Sequence, residues 1–222
     1  MHLIALVGFA GSGKDTAGTL LVEKYGFKSF SFAESLKDAL ASIFCWDRTL
    51  LEGHTGESRA WRETIDPWWA EKLGIPQFTP RWAMQNIGTN VMRQHFHPDV
   101  WIHNVERKLT LLPPNTNVVL TDGRFPNELG LGRQYGSKTV RVRRGPEPPW
   151  YDVALKANGY KPHPLEPAWP NNSAAYLARL RMRDEFEIHE SEWAFIGEHI
   201  DETIENDDTL EHLYDEVKRV CL

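Results

Sequence analysis

The sequence predicts an α/β fold in which a doubly wound parallel sheet carries helices on both faces. Two observations support this prediction. Short uninterrupted apolar runs recur along the chain, and such runs are typical of strands covered on both faces. Segments with a helical spacing of apolar residues separate these runs, which is the alternation of a doubly wound sheet. The length of 222 residues fits one domain, residues 1–222, with space for inserts around its core.

Five strands and the helices between them follow from this pattern. The strands are expected at residues 3–7, 28–32, 118–122 and 139–143, with an edge strand at 200–204. Helices are expected at 14–25, 34–44, 80–94 and 126–135. A break at 97–99 precedes a further helix that ends near 111, and Thr209 caps the last helix.

Two segments do not fit the alternation and are predicted to be inserts. Residues 46–79 are rich in tryptophan, with one helix expected near 57–73, and we interpret them as substrate-binding. Residues 145–188 begin with a proline-rich, irregular stretch up to 172, and we interpret them as lid-like; their helix contains Arg179, Arg181 and Arg183. The nine tryptophans should mainly pack between helices, and stacking on a planar base is the alternative for one or two.

Composition excludes several classes of protein. The 31 acidic residues outnumber the 25 Lys and Arg residues, so no overall positive field attracts nucleic acid, although a local basic groove stays open. Cys45 and Cys221 have neither the spacing of a zinc site nor that of a disulfide framework, and we expect reduced thiols. The chain shows no leader peptide and no apolar run long enough to span a membrane. We therefore expect a cytoplasmic protein without a membrane partner.

The strongest motif is a glycine-rich loop between the first strand and the first helix. Residues 8–16 read GFAGSGKDT and match the phosphate-loop pattern G-x-x-x-x-G-K. The backbone N–H groups of such a loop and the following helix N-terminus bind phosphate oxygens. Lys14 should face solvent and reach the β- and γ-phosphates. The motif predicts ATP as the bound nucleotide, held by Gly8, Gly11, Ser12, Gly13, Lys14, Asp15 and Thr16.

The position after the lysine departs from the usual pattern. Serine or threonine normally stands there and binds Mg²⁺, whereas this chain has Asp15, followed by Thr16. Two interpretations stay open: Thr16 provides the hydroxyl ligand, or Asp15 acts on the ion through water. Asp15 is for this reason also a catalytic candidate.

Two charged residues, Asp122 and Arg124, lie at the end of the third predicted strand, at the edge where ligands of open α/β sheets bind. Asp122 would hold Mg²⁺ through water or orient the attacking oxygen, and its alternative role is to cap the next helix. Arg124 would clamp the acceptor or the transferred phosphoryl group, and its alternative role is a salt bridge to Glu128. With Lys14 and Asp15, these two residues complete the catalytic candidates.

Several sequence blocks resemble the deoxynucleoside monophosphate kinases of bacteriophages. The blocks are GSGKDT with SFAESLKD at 31–38, RWAMQNIGT at 81–89 with DVWI at 99–102, TDGRFPNE at 121–128, and HESE at 189–192 with NDDTL at 206–210. They run in the family's order from residue 4 to 217. Segments 46–79 and 145–188 have no counterpart in it. A sister group with the same phosphate loop is thought to phosphorylate the hydroxymethyl group of 5-hydroxymethyluracil in DNA.

The resemblance implies a nucleoside-monophosphate-kinase type of P-loop fold that uses ATP and Mg²⁺. Gln85 would pair with the edge of the acceptor base and Trp101 would stack on its face, with core packing as the alternative for Trp101. Lys37, Arg81 and Arg93 would bind the acceptor phosphate, or lie solvated on their helices. Arg143 and Arg144 would close over the phosphates with Arg179, Arg181 and Arg183, and the alternative for the last three is a solvated helix face. The loop from Asn206 to Thr209 would lie under the adenine, or would only cap the last helix. The resemblance implies no chemistry for block 189–192.

Three hypotheses for function follow. The first is phosphoryl transfer from ATP to a deoxynucleoside monophosphate, in the cytoplasm of an infected host cell. The second keeps the ATP site and takes a hydroxymethylated pyrimidine in DNA as acceptor, which needs a base catalyst such as Asp122 or Asp15 and an extruded nucleotide. The third is a regulatory nucleotide-binding module without transfer, which ADP binding without turnover would support. The sequence leaves the oligomeric state open.

Overall fold

The computed structural model describes residues 2–159 and 173–222. The chain forms two compact units. The first unit contains Met1–Phe30 and Pro113–Leu222, and the second contains Ser31–Leu112. The predicted insert 46–79 lies in the second unit, and residues 145–188 belong to the first.

A five-stranded parallel sheet forms the centre of the first unit. Its strands are β1 (His2–Val7), β2 (Lys28–Phe30), β3 (Asn117–Gly123), β4 (Lys138–Arg143) and β5 (Glu202–Glu205). Their order across the sheet is β2-β3-β1-β4-β5, and all neighbours are parallel. The predicted fold class is therefore confirmed. β5 begins two residues later than the predicted strand because its ladder with β4 pairs Val140 with Glu202 and Arg143 with Glu205.

Helices cover both faces of this sheet, as the continuous apolar runs predict. Ile4 and Leu6 of β1 belong to one apolar cluster with residues of α1 (Lys14–Tyr25) and α10 (Leu210–Cys221). Val7 points to the other face and belongs to a second cluster. That cluster includes residues of α7 (Pro126–Gln134), α8 (Tyr151–Asn158) and α9 (Ala174–Asp184).

Helix α8 contradicts the irregular structure predicted for residues 145–172. The prolines before it suggested a loop, but Ala154 and Ala157 are completely buried on one side of a two-turn helix. The rest of that predicted stretch, residues 160–172, lies outside the described residues. No helix within 2–159 and 173–222 combines the length and hydrophobicity needed to cross a membrane.

The second unit is helical. It contains α2 (Glu34–Phe44), a 3₁₀ turn (Leu50–Glu52), α3 (Gly56–Glu63), α4 (Pro67–Leu73), α5 (Pro80–Gln85), a π-helix (Asn86–Phe96) and α6 (Val100–Thr110). The single helix predicted near 57–73 is wrong. Thr64 has extended backbone angles, and Asp66 starts α4 by accepting a hydrogen bond from the N–H of Trp69 at 3.1 Å. Asp66 and Pro67 are a helix-start signal that divides the segment.

The helix predicted for 80–94 is α-helical only as far as Gln85 and continues as the π-helix. Its wider turn brings Gly88 against Leu36, whose Cδ2 would lie 2.6 Å from a Cβ at position 88. The indole N–H of Trp101 donates to the Gly88 carbonyl at 2.9 Å. Packing and a side-chain bond thus favour a conformation that helical periodicity does not distinguish from an α-helix.

Tryptophan side chains form much of the core of the second unit. Phe44, Trp46 and Phe78 are buried at its centre, and partly buried aromatic residues surround them, namely Trp61, Trp69, Trp82 and Trp101. The indole N–H of Trp46 donates to Asp66 at 2.8 Å, and that of Trp69 donates to the Phe44 carbonyl at 3.0 Å. Packing between helices is therefore confirmed as the main role of these tryptophans.

Candidate active site

The glycine-rich loop leaves β1 and enters α1, and two of its glycines, Gly8 and Gly13, have no space for a side chain. A Cβ at Gly8 would lie 2.3 Å from the carbonyl oxygen of Val142, and one at Gly13 would lie 2.3 Å from Nδ2 of Asn206. Gly13 also has a φ of 97°, which a residue with a side chain rarely adopts. Close approach of neighbouring atoms and the left-handed backbone therefore require glycine at position 13.

Several polar groups of this loop fit a bound phosphate. The hydroxyl of Ser12 is buried and has no hydrogen-bond partner among the described residues. No side chain caps the N-terminus of α1, so phosphate oxygens can bind the N–H groups of its first turn. A buried hydroxyl is costly without a partner, and a phosphate oxygen would satisfy it.

Lys14 lies in the structure differently from the expectation. It was expected to face solvent, but only 8% of the residue is exposed, and its Nζ atom lies 3.7 Å from Oδ1 of Asp15. Lys14 is the first residue of α1, so its side chain starts beside the uncapped helix end. The ammonium group of Lys14 and the partial positive charge of the α1 N-terminus therefore act on the same region, which favours a polyanionic ligand.

The two candidates for the magnesium side of the loop, Asp15 and Thr16, are exposed in the first turn of α1. One turn further on, Gly18 packs against Thr121 of β3, where a Cβ would lie 2.7 Å from the Thr121 methyl group. This contact holds α1 against the strand that ends with Asp122 and Gly123. Hydroxyl and carboxylate oxygens are the ligands that Mg²⁺ prefers, so Thr16, Asp15 and Asp122 fit the ion chemically.

Arg124 is fixed at both its backbone and its side chain. Its N–H donates to Oε2 of Glu128 at 2.7 Å, and its Nη1 donates to Oε1 of Glu192 at 2.6 Å and to the carbonyl of Ser191 at 3.3 Å. The alternative considered from sequence was a salt bridge to Glu128; in the structure Glu128 accepts the backbone N–H groups of Arg124 and Phe125, and Glu192 forms the ion pair with the guanidinium. Burial acts to lower the pKa of the guanidinium, but the charges of Glu192, Asp122 and Glu128 outweigh it and keep that pKa above its usual value.

Asn206 lies directly against the phosphate loop. Its side-chain Nδ2 donates to the carbonyl of Ser12 at 2.8 Å, and the residue is buried. Its own backbone N–H donates to the carbonyl of Arg143 at 2.8 Å, which ties the end of β5 to the end of β4. Arg144, the first residue after β4, is exposed. The contact with Ser12 gives Asn206 a role in holding the loop, which the sequence did not indicate.

The candidate acceptor residues all belong to the second unit, and several have acidic partners there. Lys37 pairs with Glu52 at 2.6 Å, and Nε of Arg81 donates to Glu63. The buried Arg93 donates to the carbonyl of Pro98 at 3.1 Å. The remaining two candidates are Gln85, the last residue of α5, and Trp101, near the start of α6.

The arginines of α9 are likewise ion-paired. Arg179 pairs with Glu190 at 2.7 Å and Arg181 with Glu185 at 2.6 Å, and Arg183 pairs with the adjacent Asp184. Arg181 and Arg183 are exposed, so these short-range pairs contribute little to stability. The positive charges of these three arginines are therefore balanced by neighbouring acids.

Comparison with known proteins gives the family. No family model matches the sequence. A protein of Acanthamoeba polyphaga mimivirus described as "Putative deoxynucleotide monophosphate kinase" is 31% identical over an alignment of 154 residues. The alignment covers 65% of this chain and 75% of the relative. The chain belongs to the deoxynucleotide monophosphate kinase family. Membership confirms the prediction of an ATP-dependent P-loop kinase.

Solved structures align along nearly the whole chain, but at low similarity. Dephospho-CoA kinase from Campylobacter jejuni has 14% identity and a TM-score of 0.43, with 98% of this chain and 94% of that chain covered. Shikimate kinase from Bacteroides thetaiotaomicron has 14% identity and a TM-score of 0.38, with 98% and 95% covered. The assignment to the deoxynucleotide monophosphate kinase family rests on the viral relative and not on these structures.

The second unit of this family member also brings together His97, Asp99 and His103, whose possible metal-ligand atoms all lie within 4.8 Å of one another. His103 Nδ1 is 3.1 Å from Glu106, as in many metal sites in which a carboxylate orients the imidazole. The backbone N–H of Asp99, however, donates to Nδ1 of His97 at 3.1 Å. This contact occupies one ring nitrogen and places the proton of the neutral ring on the other, so the group is not preformed for a metal ion.

Proposed function

We propose that the protein transfers the γ-phosphoryl group of ATP to a deoxynucleoside monophosphate, giving ADP and a deoxynucleoside diphosphate. The observation that carries the acceptor class is the 31% identity to the mimivirus relative over three quarters of that relative's length. The phosphate loop of the first unit supports ATP as the donor. Its buried Ser12 hydroxyl, uncapped helix end and adjacent Lys14 match a polyphosphate chain.

Donor binding is proposed to rest on the loop and on the ends of the strands beside it. Gly8, Gly11 and Gly13 allow the backbone N–H groups to surround the phosphates, and Lys14 binds the β- and γ-phosphates. Asn206 supports the loop through the Ser12 carbonyl, and Arg144 is the candidate for contacts with the nucleotide beyond the loop. Mg²⁺ would neutralise charge on the phosphates, with Thr16 or Asp15, and Asp122, as its candidate ligands.

Acceptor binding is proposed for the second unit. A phosphate acceptor is already nucleophilic, so the residues must position it and neutralise charge and need not remove a proton. Lys37, Arg81 and Arg93 are the candidates for its phosphate, and Gln85 and Trp101 for its base. Because Lys37 and Arg81 already pair with Glu52 and Glu63, an acceptor phosphate has to compete with those carboxylates.

A transfer assay with γ-labelled ATP tests the proposal. The acceptors are dAMP, dGMP, dCMP and dTMP, each alone, with duplex DNA containing 5-hydroxymethyluracil as a further acceptor. We expect labelled deoxynucleoside diphosphate from one or more monophosphates and no label in the DNA, and the Lys14→Ala variant should give neither. Label that enters only the DNA, or ATP binding without transfer to any acceptor, would contradict the proposal.

A further inference from the structure

The block at 189–192 contains a 3₁₀ turn, which lies a short distance after the end of α9 in the chain. The turn comprises Glu190–Glu192, and His189 caps it by accepting the N–H of Ser191 at 3.2 Å. The chain then continues into the buried residues Trp193, Phe195 and Ile196, which belong to one of the two apolar clusters of the sheet. The buried residues that follow the turn thus hold its backbone in place.

This turn holds the guanidinium of Arg124 through two acceptors. Glu192 Oε1 accepts from Nη1 at 2.6 Å, and the Ser191 carbonyl accepts from the same atom at 3.3 Å. The side chains of Arg124 and Glu192 are 36% and 24% exposed, so the pair is only partly shielded from solvent. The backbone of Arg124 is fixed independently by Glu128 at 2.7 Å.

Only the Nη1 atom takes part in these contacts with the turn. A guanidinium carries its donors in a rigid planar fork, so fixing one Nη atom also fixes the direction of the Nε–H and Nη2 donors. A long arginine side chain otherwise loses considerable rotamer entropy when it binds a phosphate. Glu192 therefore removes this entropic cost before the substrate binds, although its negative charge weakens the pull of the cation on phosphate.

We propose that Glu192 is a positioning residue for Arg124 in phosphoryl transfer. The inference rests on the proposed function and on the role that the sequence predicts for Arg124, which is to clamp the acceptor or the transferred phosphoryl group. Glu192 contributes orientation, so an uncharged acceptor of the same shape should replace it. The second acid of the turn, Glu190, pairs with Arg179 at 2.7 Å and provides a matched control in the same turn.

The experiment compares Glu192→Ala, Glu192→Gln, Glu190→Ala, Arg124→Ala and the Arg124→Ala/Glu192→Ala double variant. For each protein, kcat and the KM values of ATP and deoxynucleoside monophosphate are measured with the melting temperature. Because a small misplacement of a catalytic group can cost about 100-fold in rate, we expect Glu192→Ala to lower kcat about 10- to 100-fold with little change in the ATP KM. Glu192→Gln should keep most of kcat, and Glu190→Ala should leave kcat near that of the unmodified protein.

The double variant separates positioning from a general loss of structure. Glu192→Ala should cause no further loss of kcat once Arg124 is absent. Added guanidinium ion should restore part of the activity to Arg124→Ala and not to the double variant, because the free ion needs the carboxylate to hold it.

Four outcomes would overturn the positioning role alone. Three are an unchanged kcat in Glu192→Ala, an equal loss in Glu190→Ala, and a further full loss in the double variant. The fourth is a normal kcat in Arg124→Ala, because no guanidinium would then need positioning. If the unmodified protein phosphorylates no deoxynucleoside monophosphate, the proposed function itself fails. These outcomes are distinguishable within one set of measurements.

Discussion

Replacing Gly13 with alanine tests the packing of the phosphate loop against Asn206. The new Cβ would lie 2.3 Å from the Asn206 amide nitrogen, and real Cβ contacts under 3.0 Å essentially do not occur. The amide must therefore move, and it then loses its 2.8 Å hydrogen bond to the Ser12 carbonyl. Gly11→Ala is the matched control, because Gly11 also has a positive φ, 79°, but no atom within 4 Å of a Cβ.

The expected magnitudes follow from these two differences. A left-handed backbone costs an L-residue about 1–2 kcal/mol, and both variants carry this cost. Only Gly13→Ala also breaks a buried hydrogen bond and leaves its groups unsatisfied, at about 1–3 kcal/mol more. We therefore expect Gly11→Ala to lower the free energy of unfolding by about 1–2 kcal/mol and Gly13→Ala by about 2–5 kcal/mol.

Urea unfolding of the two variants, with ATP binding by calorimetry, measures these values. ATP affinity should fall more in Gly13→Ala, because the displaced amide no longer holds the loop. In an Asn206→Ala background the clash is absent, so the cost of Gly13→Ala should shrink to that of Gly11→Ala. Equal destabilisation by the two glycine variants, or an unchanged difference without Asn206, would refute the reasoning.

Four further predictions concern single side chains. Lys14→Ala should lower kcat more than tenfold, equivalent to about 1.4 kcal/mol of barrier, in steady-state kinetics; a smaller loss would contradict its role. Asp122→Asn should lower kcat far more than it changes the ATP KM, whereas a lower melting temperature with normal turnover would indicate a structural cap. Trp101→Ala should raise the acceptor KM about tenfold with the ATP KM unchanged. Trp101→Phe keeps an aromatic ring but loses the hydrogen bond to the Gly88 carbonyl, so it separates stacking from that bond. Equal losses for both substrates in Trp101→Ala would indicate core packing. Burial lowers the pKa of His189 below its usual value of 6.5, although the charges of Glu190 and Glu192 act to raise it. As pH falls, the unfolded chain therefore binds a proton before the folded chain does, and stability is lost below about pH 6.5. His189→Asn, which keeps the cap, should reduce this loss when urea unfolding is measured at several pH values.

Much of the fold could be predicted because the relevant signals are local. The bounds of α1 and α2 match their predictions, since an apolar helical pattern ends at Gly26 in one and Cys45 in the other. The division between α3 and α4 was missed, although the cap Asp66 and the following Pro67 carry the signal. The π-helix could not be predicted, because the contact of Gly88 with Leu36 arises only in the folded chain.

In the candidate site, too, the local features could be predicted from the sequence and the contacts between distant residues could not. The phosphate loop is contiguous in sequence, so its residues and their chemistry could be predicted together. Asn206 reaches the Ser12 carbonyl across a sequence separation of 194, and Glu192 reaches Arg124 across 68. Such pairs depend on which strand ends lie side by side in the sheet, and no local pattern encodes that neighbourhood. This is why Glu128 was considered as the partner of Arg124 when the structure shows Glu192.

Pairing of the candidate cations with carboxylates bears on how the protein would select its ligands. Lys37, Arg81 and Arg124 each contact an acid, and the chain as a whole carries a net charge of −6. A paired cation attracts distant anions weakly, because the field of its partner cancels most of its own beyond a few ångströms. It still provides directed N–H donors at short range, where geometry decides whether a phosphate can share them. Such an arrangement disfavours non-specific binding of nucleic acid and favours a small phosphate ligand that fits the donors, which agrees with a mononucleotide acceptor.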